Sequence, residues 1–114
     1  MNTKTRLMFC LLTCAAMTTA FATTKARRGV SITNATPGSI RVVFRDNSLV
    51  VDRGKTGSGT FEANSRDQGV TVRCYLGTGN NGPHTEKRLR YDDSGVARAR
   101  VTVNPQTGRP TFNQ

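Results

Sequence analysis

The stretch SIRVVFR, Ser39 to Arg45, decides the architecture of this chain. Ile40, Val42 and Phe44 fall on one phase of a period of two, and Arg41, Val43 and Arg45 fall on the other. An extended backbone turns successive side chains to opposite faces, so the stretch reads as a strand with one buried and one solvated face.

The same period recurs outward in both directions. In VTVRCYL, Val70, Val72, Cys74 and Leu76 take the buried phase, and Thr71, Arg73 and Tyr75 face out. GVSITN (29–34), LVVD (49–52), TFEA (60–63), TEKRLRY (85–91) and VARARVTV (96–103) add five more segments, and PTF (110–112) is a candidate edge strand. TPGS, DNS and NSRDQG supply turn chemistry between them, and RGKTGSG (53–59) reads as a flexible crossing. Helical periodicity is absent from Gly29 onward. Short antiparallel strands, about seven of them and separated by turn signals, predict an all-β domain: a small immunoglobulin-like sandwich or a small barrel.

The N-terminus belongs to a different class of sequence. Lys4 and Arg6 precede an apolar run from Leu7 to Met17, and Ala20-Phe21-Ala22 offers small residues for cleavage. That is the pattern of a secretory signal peptide over residues 1–22, cut after Ala22. The run falls short of the ~20 residues a membrane span needs. The expected product is a secreted or periplasmic protein with a basic arm over 23–28 and one domain over 29–114. LLTC at Cys14 offers lipidation as an alternative, and Arg27-Arg28 a dibasic processing point after Arg28. With Cys10 and Cys14 in the leader, Cys74 stands alone and no internal disulfide is expected.

Charge bounds the partners. Removing Lys4 and Arg6 from 17 basic residues leaves 15 against 7 acidic ones, and Arg outnumbers Lys 12 to 3 among them. Arginine binds carboxylate, sulfate and phosphate with a planar fork of donors, whereas lysine acts as a point charge. An excess of this kind fits an anionic partner.

RLRYDDSGVARARV, Arg88 to Val101, sharpens that expectation. A three-residue loop Asp93-Ser94-Gly95, with Gly95 in the left-handed region, would set Asp92 opposite Val96, Arg90 opposite Arg98 and Arg88 opposite Arg100. Four arginines then share one hairpin face. Arg88, Arg90, Arg98 and Arg100, with Arg73, are the candidate anion-binding residues. The bland reading is a solvated, aggregation-resistant surface. The loop GTGNNGPH, with Gly79, Asn80, Asn81 and His84, is the candidate contact for a protein partner in the competing reading, a secreted interaction module (effector, inhibitor or surface-structure component) that uses this loop or a sheet edge.

Other chemistries find little support. Three glycines in that loop lack the Lys-Ser/Thr ending and following helix of a phosphate cradle. One histidine excludes a multi-histidine metal site, and no acidic cluster has calcium-loop spacing. A small ribonuclease would use Glu62 or Glu86 with His84 and the Arg88/Arg90 group, residue types that are common on any surface. Only Tyr75 offers an exposed stacking platform, which argues against specific nucleic-acid readout. Asn34-Ala35-Thr36 is a glycosylation sequon. The expectation is a non-catalytic binding protein without metal or cofactor, whose partner is an anionic polymer (glycan, lipid headgroup or nucleic-acid phosphate) or an acidic protein surface.

Overall fold

The computed structural model describes residues 24–114, so the expected leader, its cleavage point and Cys14 lie outside the described residues. Eight strands follow one another: β1 (Lys25–Asn34), β2 (Ile40–Phe44), β3 (Asn47–Val51), β4 (Thr56–Asn64), β5 (Gly69–Leu76), β6 (His84–Arg90), β7 (Val96–Val103) and β8 (Pro110–Asn113). They form two four-stranded sheets, A in the order β4-β1-β7-β8 and B in the order β3-β2-β5-β6. The expected β-sandwich is the fold. Every pairing is antiparallel except β1 with β7, which is parallel.

Alternation explains the core. Ile40, Val42 and Phe44 of β2 face Val30 and Ile32 of β1 across a single cluster that also takes Val72, Cys74, Leu89, Ala97 and Val101. Phe44 and Phe61 meet at 5.8 Å between ring centroids, joining the two sheets at one end. Cys74 is wholly buried in this cluster, and burial pushes its thiol up to about 12, the behaviour of a packing residue.

Three departures from the sequence reading matter for the surface. Residues 25–28 are not a loose arm: Arg27 lies opposite Glu62 and Arg28 opposite Phe61 in the β1–β4 ladder, so the dibasic pair is held in extended pairing. The glycine-rich stretch from Thr56 to Gly59 is strand, not crossing. Gly57 and Gly59 face the core where Val51 and Phe44 come so near that a Cβ would lie 2.6 Å and 2.7 Å from their side chains. Finally, the β2–β3 connection is a two-residue turn, Arg45-Asp46, with β3 already running at Asn47.

A fourth departure is topological. The turn after β6 forms as expected, with the Asp92 amide donating to the Val96 carbonyl at 2.8 Å and Gly95 at φ +79°. The strands it joins do not pair. β6 hydrogen-bonds to β5 in sheet B, while β7 enters sheet A between β1 and β8. Leu89 and Ala97 both reach the interior this way, from opposite layers. The alternation satisfied by a hairpin is satisfied equally by a corner between sheets, and the wider pairing partners decide.

Candidate functional site: two arginine faces

The sheet switch divides the arginines that a hairpin would have gathered. Arg88 lies opposite Thr71 and Arg90 opposite Gly69 in sheet B, whereas Arg98 sits beside Ser31 and Arg100 between Thr33 and Asn113 in sheet A. Arg88 and Arg90 therefore do not face Arg98 and Arg100. Directly opposed like charges would cost a strand pair up to about 1 kcal/mol. Each arginine instead stands against a small or neutral polar neighbour.

On the outside of sheet B, the strand phases place Arg41 and Val43 of β2, Thr71, Arg73 and Tyr75 of β5, and His84, Glu86, Arg88 and Arg90 of β6. Arg45 joins them from the turn, where its backbone takes φ +54°. That conformation costs a side-chain-bearing residue about 1–2 kcal/mol. It brings the guanidinium over the Phe61 ring at 5.7 Å and within 3.2 Å of the Glu62 carbonyl oxygen, to which it donates.

Arg45, Arg73 and Arg88 border one concavity of about 440 Å³ floored by Gly69 and Thr71. Arg73 donates to the Tyr75 hydroxyl at 3.2 Å and to Glu86 at 3.4 Å. Arg88 has no ion pair or side-chain hydrogen bond among the described residues. Asp67 and Glu86 also line the concavity, so the site is a mixed field with arginine in excess.

Tyr75 is not an exposed platform. It is only 8 % exposed, with the His84 ring over it at 5.1 Å between centroids. Of the residue types a ribonuclease would use, Glu62 lies on β4 in sheet A, whereas His84, Glu86, Arg88 and Arg90 share β6 in sheet B. Gly79, Asn80, Asn81 and His84 are exposed at the β5–β6 connection, and no group of three or more metal-ligating side chains occurs among the described residues.

On sheet A, Arg98 donates through Nε to Asp92 at 2.9 Å. The same carboxylate accepts from the Ser94 hydroxyl at 2.6 Å and from the amides of Ser94 and Val96. These bonds, the Ser94 hydroxyl foremost, then the Val96 amide, with Arg98 adding to them, hold the Asp92 carboxyl well below the usual range. A depressed folded value stabilises the fold above the unfolded value near 4, and that contribution is lost as pH falls through the folded one. Asp92→Asn is expected to flatten the acid limb of a pH-stability curve below about pH 4 and to leave its alkaline limb in place, as read by urea midpoints across pH.

Asn34 was missed as a structural residue. Its side-chain amide donates to the carbonyls of Gly38 and Val51, both at 2.8 Å, and its oxygen accepts from the Thr36 amide at 2.9 Å and hydroxyl at 2.6 Å. The residue is fully buried. Its nitrogen has spent both hydrogens on carbonyls, so the sequon is a fold lock, and the folded domain presents no acceptor for a glycan. The signal was present in the sequence as Asn-x-Thr before Pro37-Gly38, an Asx-turn pattern. Compared with known proteins, the chain matches no family model, no curated protein and no solved structure.

Proposed function

We propose that this is an exported, non-catalytic binding protein that engages a polyanion through the outer face of sheet B. One observation carries the reading. Of the fifteen Lys and Arg side chains in residues 24–114, only Arg73 and Arg98 have a carboxylate within 4.0 Å among the described residues. Seven carboxylates are available to the same chain. A surface whose arginines merely answered its own acids would pair more of them.

Arg88 supplies the free fork, Arg45 is held in place by its ring and carbonyl contacts, and Arg73 is oriented by Tyr75. A sulfate or phosphate ester between Arg45 and Arg88 would receive charge-assisted bonds from planar donors, the stronger class of hydrogen bond. Among the described residues no fully exposed Phe, Tyr or Trp lies on this face, which favours charge over sugar or base stacking as the source of affinity.

The test is salt-dependent retention on immobilised heparin. Arg45→Gln/Arg88→Gln is expected to elute at clearly lower salt than wild type. Arg66→Gln/Arg109→Gln, equal in charge but in the turns at 65–68 and 104–109, should elute close to wild type. Equal losses in the two variants would mean that net charge alone drives retention, and the face would not be a site.

A protein contact is the second reading, and Val50 favours it. It is the exposed large hydrophobic of the described residues, at 52 %, on the uncharged edge strand β3. An unpaired edge invites an added strand. Partner binding of that kind would be insensitive to salt and abolished by Val50→Lys.

A further inference from the structure

Resting on the polyanion reading, we infer that the outer face of sheet A is a second, independent anion site, which makes each molecule a bridge between two polyanion chains. Two adjoining depressions on that face, about 480 and 460 Å³, share Thr33 and Arg100. Arg53 reaches the first and Arg98 the second, and no aspartate or glutamate lines either.

The donors there are unspent. Arg53 and Arg100 have no ion pair and no side-chain hydrogen bond among the described residues. Arg98 gives only its Nε to Asp92, which leaves its terminal nitrogens uncommitted. Beside them lie neutral hydroxyls, those of Thr33 and Thr56, 2.9 Å apart, while the Asn113 amide donates to Thr102 at 3.1 Å and to the Arg100 carbonyl at 3.4 Å. Guanidinium forks flanked by hydroxyls suit an oxyanion ester, sulfate or phosphate, carried on a polymer that has hydroxyls of its own.

Topology makes the two sites independent. Arg53 and Arg100 belong to the sheet A side, Arg45 and Arg88 to the outside of sheet B, and the sheets pack back to back at about 10 Å. An extended chain lying on one face cannot also lie on the other without wrapping a sheet edge. Two faces directed oppositely therefore join separate chains, or separate stretches of one long chain, and multivalency then gathers polymer into networks.

The experiment pairs stoichiometry with cross-linking. Wild type and Arg53→Gln/Arg100→Gln are titrated calorimetrically with a sulfated heparin tetrasaccharide and, in parallel, with tripolyphosphate. Turbidity is then followed with full-length heparin. The expected result is two short ligands per wild-type molecule and one per variant. Wild type should form scattering networks at intermediate ratios, and the variant should bind long heparin yet stay clear. The ligand that binds more tightly assigns the ester class. A stoichiometry of one in both proteins, or turbidity unchanged by the substitutions, overturns the bridge and leaves the sheet B reading standing. No heat with either ligand removes the polyanion reading and the bridge together. The substituted side chains are exposed, and a thermal melt matching wild type verifies that the variant is folded.

Discussion

Asn34→Ala is expected to lower the free energy of unfolding by about 3 kcal/mol. The substitution removes four side-chain hydrogen bonds from a site with no solvent access. The Thr36 amide hydrogen then stays buried without its acceptor, a loss of about 1–3 kcal/mol by itself. The carbonyls of Gly38 and Val51 lose a donor each, and a cavity opens between the β1–β2 turn and the end of β3. Asn34→Asp is the informative companion. It keeps the volume but turns an oxygen toward two carbonyl oxygens, so at neutral pH it should destabilise at least as much. Urea denaturation of both variants measures the effect, and a midpoint for Asn34→Asp near wild type would show that packing, not hydrogen bonding, holds this corner.

The second large effect belongs to Gly59. A methyl group there would stand 2.7 Å from the Phe44 ring, which is itself 1 % exposed and packed on Phe61. Neither partner has room to move, and overpacking of this kind costs about 1–3 kcal/mol. Gly59→Ala should therefore unfold at distinctly lower urea concentration. Phe44→Leu in the same chain should recover part of the loss, with a coupling of about 1 kcal/mol in the double-mutant cycle. Strict additivity of the two would contradict the contact.

These two positions also mark where sequence reading stopped. Strict alternation in 39–45 and 70–76 exposed the strands and their buried phases, because one face of each strand must leave water. The stretch 53–59 hid a strand, since its inward positions are glycines selected by the opposite sheet's Val51 and Phe44, and no local pattern reports on a neighbour across the core. The turn at Asp92–Gly95 was legible down to its left-handed glycine, yet the same turn serves a hairpin or a change of sheet. Which one forms depends on β1 offering β7 a parallel edge and β5 offering β6 an antiparallel one, both distant in sequence.

The candidate site was legible in kind and not in arrangement. Arginine on alternate positions 88, 90, 98 and 100 does mark outward faces, but two of them. Arg41 and Arg45 were legible as the outward phase of 39–45 but not as neighbours of Arg73 and Arg88, and Arg53 lies in a turn that carries no periodic signature. Arg45 in particular enters the sheet B face only through a left-handed backbone that its sequence context does not announce. Tyr75 misled in the other direction: its phase is outward, as expected, but His84 closes over it from the paired position on β6.

The most direct test of the central claim is a residue-resolved titration of the 24–114 domain with a sulfated heparin hexasaccharide, followed by amide and guanidinium chemical shifts. Binding as described predicts saturable shifts at Arg45, Thr71, Arg73 and Arg88, with the 77–84 connection and the β3 edge unmoved. Shifts spread evenly over the basic side chains, or confined to the Gly79–His84 loop, would contradict it.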